Sequence, residues 1–337
     1  MSRFRFLPVA VLWAVLASAP GLAQVRIKLA TLAPRGSSYH QSLLKMAEKW
    51  RAVPGGVNLT IYADGVQGGE SAMVQKMRVG QLQAAMLTAT GLSEIDNSVT
   101  ALQNMPMMFR SLEEVDYVRG KLQPRLEKSL LDKGFSALFW GDAGWVRFFS
   151  KTPVQRPDDL KKLRLFVWQG DNQQVDMMKS AGYQPIPLET ANIYPSLQNG
   201  MIDAVPSVAY FALAGQFFTA AKHMLEANWA PLVGGAVVSK DIWEKIPATA
   251  RKDLLAAAVS AGDEIRANGR AEADQAVKTM QGRGLTVHKM TPQLEAEWSK
   301  AAESFYPQIR GKMVPADLFD EVQRLLKENR ASQGSRK

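Results

Sequence analysis

The residue types that most often catalyse reactions or bind metals are scarce in this chain and lie far apart. The sequence contains no cysteine and three histidines, His40, His223 and His288. Their spacing is not that of a metal site, and the chain has no G-x-S-x-G, H-E-x-x-H or phosphate-binding-loop motif. The pair Asp158–Asp159 follows a proline and is better explained by turn and helix-capping hydrogen bonds than by acid–base chemistry. We therefore expect no enzyme, with a secreted hydrolase as the remote alternative.

Composition restricts the partners and cofactors further. The chain has 337 residues, 46% hydrophobic and 22% charged, which is enough for two domains with buried cores. The net charge of +9 comes from basic residues scattered among acids, so nucleic acid is not expected as a partner. The lack of cysteine excludes disulfides and thiolate metal sites. A hard-cation site made of carboxylates and carbonyls would leave no sequence signature and stays open, but no cofactor is predicted.

The first residues have the pattern of a secretory signal peptide. Arg3 and Arg5 precede an apolar run from Phe6 to Leu16, and Gly21-Leu22-Ala23 is a small-x-small cleavage site. The apolar run is too short for a comfortable membrane span. We expect a signal peptide over residues 1–23 and a mature protein in the periplasm.

The stretch from residue 144 to 171 holds the side chains best suited to binding a ligand. Its second half alternates from Leu163 to Trp168 with the period of a strand. One face of this strand carries Phe166 and Trp168, and Gln169 stands at its C-terminal end. In open α/β sheets, ligands bind at the C-terminal ends of the strands.

The remaining elements are those of an α/β protein. Strands at 25–29, 57–61 and 84–88 alternate with helices, an order that predicts a parallel sheet with crossover helices. Residues 208–224 are predicted as one amphipathic to buried helix, and 234–239 as a strand that returns to the first domain.

One helical pattern is exceptionally long and runs from Ala248 to Met280. At 1.5 Å per residue such a helix would span about 45–50 Å, enough to bridge two domains. Gly262 and Gly269 interrupt it and each costs about 1 kcal/mol relative to alanine, so close packing or bending is expected there.

Six segments, in this order, resemble the DctP-type substrate-binding proteins of TRAP (tripartite ATP-independent periplasmic) transporters. They are KLATLAPRGSSYH, YADGVQGGESAMVQKMRVGQLQAAM, LQNMPMMFRSLEE, PVQRPDDLKKLRLFV, YPSLQNGMIDAV and SKDIWEKIPATARKDL. The resemblance implies a periplasmic-binding-protein-like fold, with two α/β domains, a ligand cleft between them and a long helix spanning both. It also implies cleft closure on a small organic ligand and delivery to the small and large integral membrane subunits of the transporter.

The resemblance also suggests how the chain is divided. Domain I would comprise residues 24–144 and 233–270, and domain II residues 145–232 and 271–328. Residues 329–337 would form a flexible tail, and a monomer is expected.

The chain departs from the family where most members hold an acidic ligand. Phe166 stands where the resemblance places the ligand arginine, and Val146 stands where many members have a second arginine. Ser207 replaces the usual asparagine, and Thr88 replaces the usual acidic residue. We therefore predict a ligand that is more apolar or less charged than a dicarboxylate.

Because of two nearby arginines, a carboxylate ligand remains an alternative. Arg164 shares a pleat face with Phe166 but lies nearer the start of the strand, and Arg147 would reach the ligand only if a bulge re-aims it. Either could anchor a small organic carboxylate, and a ligand sensor that signals instead of transporting is a further alternative. The predicted ligand-binding residues are Tyr39, Thr88, Trp145, Val146, Arg147, Phe166, Trp168, Gln169, Ser207, Tyr210, Trp229 and Gly234.

Overall fold

The computed structural model describes residues 25–334, so the predicted signal peptide over residues 1–23 lies outside it. The strands are β1 (Val25–Thr31), β2 (Val57–Tyr62), β3 (Ala84–Thr88), β4 (Phe135–Ser150), β5 (Arg164–Trp168), β6 (Gln184–Leu188), β7 (Ala204–Val208), β8 (His223–Ser239) and β9 (Thr286–His288). The helices are α1 (Ser38–Ala52), α2 (Glu70–Arg78), α3 (Ala89–Ser93), α4 (Leu112–Asp132), α5 (Pro157–Lys161), α6 (Asn172–Ser180), α7 (Ile193–Asn199), α8 (Ala209–Ala214), α9 (Phe217–Ala220), α10 (Lys240–Trp243), α11 (Ala248–Gln281), α12 (Pro292–Ile309) and α13 (Ala316–Gly334), with 3-10 helices at Asn97–Leu102 and Thr190–Asn192. Within residues 25–334, no helix is both long and apolar enough to cross a membrane.

Nine strands form one sheet with two parallel halves. The strand order is β2-β1-β3-β8-β4-β7-β5-β6, with β9 beside β8. β1 pairs in parallel with β2 and β3, as the alternation of strands and helices predicts, and β5 pairs in parallel with β6 and β7. β8 is antiparallel to β3, and β4 is antiparallel to β7 and β8. The result is the predicted two-domain periplasmic-binding fold, in which β4 and β8 join the halves.

β4 and β8 are long because they run through both halves. They pair from Phe135 opposite Ser239 to Ser150 opposite His223. β3 flanks the C-terminal part of β8, whereas β7 flanks the C-terminal part of β4, so the halves are offset along this ribbon. The register shifts between Asp142 and Trp145, where Gly144 has a φ of +83°. This bulge marks the point at which the strands leave one half and enter the other.

The prediction of a long helix is confirmed by α11, whose 34 residues contact the cores of both halves. At each of its two interior glycines, Gly262 and Gly269, a neighbouring side chain packs directly against the helix backbone. A methyl group placed on Gly262 would lie 2.6 Å from Cβ of Phe139, and one on Gly269 would lie 2.3 Å from the hydroxyl of Tyr39. The predicted close packing is therefore present at both positions.

The prediction of one helix over residues 208–224 is wrong. The chain forms two short helices, α8 and α9, because Gly215 and Gln216 interrupt them and Gln216 adopts a left-handed φ of +56°. His223 does not end a helix but begins β8, and its Nδ1 lies 3.1 Å from Nε2 of His288 on β9.

The C-terminal helix also differs from the prediction. α13 packs in the same core cluster as α4, in the first half of the molecule, although its residues 316–328 were assigned to domain II. Residues 329–334 of the predicted tail are the last turns of α13. Asn329 is buried there, and Arg330 donates hydrogen bonds to Glu114 at 2.7 and 2.8 Å. The remaining residues of that tail, 335–337, lie outside the described part of the chain.

Candidate functional site

Two cavities lie where β4 and β8 cross between the halves. The first has a volume of about 130 Å³, and the second has a volume of about 160 Å³. Four residues line both, namely Trp168, Val208, Phe211 and Leu232. The two cavities are therefore neighbouring chambers in one cleft, with a shared wall contributed mainly by β5, β7 and α8.

The first cavity is mostly apolar and is bounded by residues from both halves. Tyr39 of α1 and Tyr210 of α8 pack against each other with ring centroids 5.6 Å apart. Phe139 lines the same space and is buried. The hydroxyl of Tyr39 has no hydrogen-bond partner among the described residues, and burial, followed by the charge of Asp142, raises its pKa.

Glu70 brings a carboxylate to the first cavity without any cation beside it. It begins α2 and accepts hydrogen bonds from the backbone N–H of Thr88 at 2.6 Å and of Gly91 at 2.9 Å. The hydroxyl of Thr88 donates to its second oxygen at 2.6 Å. Burial raises the pKa of Glu70, and these hydrogen bonds only partly oppose that effect.

Asp142, the other carboxylate of the first cavity, is neutralised by a cation behind it. Arg270 of α11 donates to both of its oxygens, at 3.1 and 2.6 Å, and also to Asp116 of α4. The side chain of Asp142 is only 2% exposed. Burial alone would lower the pKa of Arg270, but the hydrogen bonds to both carboxylates raise it. This ion-pair group ties β4, α4 and α11 together beside the bulge.

The second cavity has aromatic walls and a few amide groups. Phe166 and Trp168 meet edge to face with centroids 4.9 Å apart, and Trp229 packs against Phe148 at 5.4 Å. Its polar lining includes Gln103, Asn104, Gln174, Ser207 and Asp171. Asp171 caps α6, and burial, assisted by the nearby Glu94, raises its pKa.

The structure gathers nine of the twelve predicted ligand-binding residues around these cavities. Thr88, Tyr39, Tyr210 and Gly234 line the first, Val146, Phe166, Ser207 and Trp229 line the second, and Trp168 lines both. The other three, Trp145, Arg147 and Gln169, line neither cavity.

Both arginines considered as displaced anchors already face carboxylates. Arg147 lies 3.3 Å from Glu226 with a side chain only 12% exposed. Arg164 forms a bidentate pair with Asp203 at 2.7 and 2.8 Å. Neither arginine lines a cavity, so either would have to leave its partner to reach a ligand there.

Sequence reasoning missed the acidic lining and several apolar walls. Glu70 is not among the predicted ligand-binding residues, and nothing in the sequence pairs it with Thr88, which is 18 positions away. Phe139 and Phe211, which also line the first cavity, are likewise not among the predicted residues. Across residues 25–334, no group of three or more His, Cys, Asp or Glu side chains is arranged to hold a metal ion.

Comparison with known proteins shows which protein family this chain resembles. The family model of bacterial extracellular solute-binding protein, family 7 (DctP), matches residues 29–312. A relative, the C4-dicarboxylate-binding periplasmic protein DctP of Rhodobacter capsulatus, is 22% identical over 258 residues, which cover 76% of this chain and 77% of that protein.

Solved structures agree with the family match. A TRAP periplasmic solute-binding protein from Shewanella oneidensis with bound succinate superposes with a TM-score of 0.83 at 18% identity, covering 90% of this chain and 100% of that one. One from Chromohalobacter salexigens with bound D-glucuronate gives 0.81 at 19% identity, covering 89% and 99%. Both of these solved structures are named as periplasmic solute-binding proteins. The chain therefore belongs to the DctP family of bacterial extracellular solute-binding proteins, family 7.

Proposed function

We propose that this protein is a periplasmic receptor that captures a small organic ligand, more apolar or less charged than a dicarboxylate, in the two adjoining cavities. The halves close on the ligand and the loaded receptor delivers it to the small and large membrane subunits of a TRAP transporter. The observation that carries this proposal is the lining of the cavities, in which no lysine, arginine or histidine of residues 25–334 takes part.

The free energy of enclosing an anion supports this choice of ligand. An uncompensated buried carboxylate costs several kcal/mol, and a bidentate arginine is the usual way to offset that cost. A dicarboxylate in either cavity would instead meet carboxylates, namely Glu70 and the Arg270-paired Asp142 in the first and Asp171 in the second. Apolar ligand surface gains roughly 25 cal/mol per Å² when it is buried against such walls.

The decisive experiment is to purify the protein from its own periplasm and identify the released ligand by native mass spectrometry. The proposal predicts a neutral or largely apolar molecule. Release of a small dicarboxylate or a sugar acid would contradict it, and would point to Arg147 or Arg164 as the anchor.

A pair of variants tests whether the released ligand was bound against the wall of the second cavity. Phe166 and Phe149 belong to the same core cluster and both are buried, but only Phe166 lines a cavity. The variant Phe166→Leu should therefore lower ligand occupancy, whereas Phe149→Leu should keep it. Equal occupancy in the two variants would remove Phe166 from the binding site.

A further inference from the structure

The charged side chains that line the first cavity are hydrogen-bond acceptors, while the hydroxyl of Tyr39 in the same lining has no partner among the described residues and can donate or accept. Its two charged side chains, Glu70 and Asp142, are both carboxylates, and no cationic side chain of the described chain lines it. Asp142 already receives two hydrogen bonds from Arg270. Glu70 receives three, none of them from a cation. An ionised carboxylate has about four lone-pair positions, so Glu70 keeps one acceptor position unused.

Thr88 extends this acceptor surface because its own donors are occupied. Both its hydroxyl hydrogen and its backbone N–H point to Glu70. While Glu70 is ionised, the Thr88 hydroxyl therefore has only lone pairs left for a ligand in the cavity that both residues line. A ligand group that also only accepts, such as a carboxylate, would find no donor in this pair.

The size of the first cavity limits the body of the ligand. An apolar protein cavity of about 150 Å³ binds benzene, and this cavity is only slightly smaller. Its walls include Phe139, Tyr39, Tyr210 and Trp168. A single six-membered ring is therefore the largest body that we expect it to hold without movement of a wall.

We propose that the first cavity selects a ligand with an apolar, ring-sized body and a hydrogen-bond-donating head group, which Glu70 and Thr88 receive. The head group is an alcohol, an amide or an ammonium, and the matching carboxylate is discriminated against. This inference rests on the proposed function, because it takes the cavities to be where the transported ligand binds.

Three probes of one size separate the head groups. Benzyl alcohol, benzylamine and benzoate share a ring and differ in the group attached to it. The full mature chain, freed of carried-over ligand by unfolding and refolding, is titrated with each probe by isothermal calorimetry at neutral pH. Benzyl alcohol and benzylamine should bind at least about tenfold more tightly than benzoate, since hydrogen bonds to a buried charged acceptor are of that strength.

Variants test whether Glu70 is the acceptor. Glu70→Gln should reduce the preference for benzylamine over benzoate by about tenfold. Glu94→Gln is the matched control, because Glu94 is a nearby half-buried carboxylate that lines neither cavity, and it should keep the preference. If Glu70→Gln does not fold, Thr88→Val removes the other acceptor at nearly constant shape and should weaken benzyl alcohol binding.

The outcomes distinguish the two proposals. Tighter binding of benzoate than of the other probes would overturn the donor inference and leave the receptor function standing. Failure of all three probes to bind at millimolar concentration would overturn the inference about the first cavity, whereas the receptor function is tested separately by the ligand released from the purified protein. An unchanged preference in a folded Glu70→Gln variant, or unchanged benzyl alcohol affinity in Thr88→Val, would show that this pair does not receive the head group.

Discussion

Replacing Gly262 with alanine should destabilise the protein, although the same change normally stabilises a helix. The added methyl group would lie 2.6 to 2.8 Å from Cβ, Cγ and Cδ2 of Phe139, closer than real side chains approach. Phe139 is buried in the core between β4 and α11, and the open space beside it is the first cavity. Either Phe139 moves into that cavity, or α11 moves away from β4.

Two effects of opposite sign determine how much Gly262→Ala changes the free energy of unfolding. Alanine gains about 1 kcal/mol over glycine in a helix interior. Overpacking a filled core costs about 1–3 kcal/mol. The net change in the free energy of unfolding should therefore be a loss of up to about 2 kcal/mol. If Phe139 is the part that moves, the first cavity also shrinks and ring-sized ligands bind less tightly.

Gly120 provides the matched control because it lies inside α4 and an added methyl group would meet nothing within 4 Å. Gly120→Ala should gain about 1 kcal/mol. Urea unfolding followed by far-UV circular dichroism measures both variants, and the midpoint of Gly262→Ala should lie below that of the wild type while the midpoint of Gly120→Ala lies above it. Equal stabilisation of the two variants would refute the packing argument.

Three further predictions concern the ion-pair group beside the bulge and the wall between the cavities. Arg270→Met leaves Asp142 buried without its cation and should lower the free energy of unfolding by about 3–5 kcal/mol in the same urea assay; a loss below about 1 kcal/mol would contradict a buried pair. Burial alone would raise the pKa of Asp116, but Arg270 and Arg119 lower this pKa below its ordinary value of 3.8. The stability that the ionised Asp116 contributes is therefore complete above pH 3.8 and is lost as the pH falls through the lower pKa of the folded state. Trp168→Phe should reduce the change in tryptophan emission on ligand binding, whereas Trp50→Phe, at a fully buried position away from both cavities, should keep it.

The parallel halves and the long helix could be predicted because their residues repeat with a regular period. β1, β2 and β3 alternate with helices, and the first of these is capped by the hydroxyl of Ser37, which accepts the backbone N–H of His40 at the start of α1. α11 keeps small and apolar residues at helical spacing along its whole length. Local pattern and tertiary packing agree in these elements.

The joining strands were harder to predict because bulges break their alternation. β4 has register shifts against β8 near Ala137, Asp142 and Val146, so its side chains change face several times. Residues 208–224 are mostly apolar, and in such a run the backbone conformation of Gln216 cannot be inferred from hydrophobic period.

The candidate site was predictable to the extent that it depends on position in the sheet. Phe166 and Trp168 stand on β5, at the edge where ligands bind in open sheets, and both line cavities. The partnership of Glu70 with Thr88 depends on how α2 is placed against the end of β3. No local pattern encodes that placement, so the acceptor lining emerges only from the structure.

The passage of β4, β8 and α11 through both halves has a consequence for how the protein can be dissected. Each half is assembled from separate stretches of the chain, and α13 returns to the first half after the chain has built the second. No single cut in the gene would therefore encode one complete half with its own core. A fragment library of this receptor should yield insoluble pieces wherever it is truncated, and swapping halves between relatives would require several crossover points placed together in these shared elements.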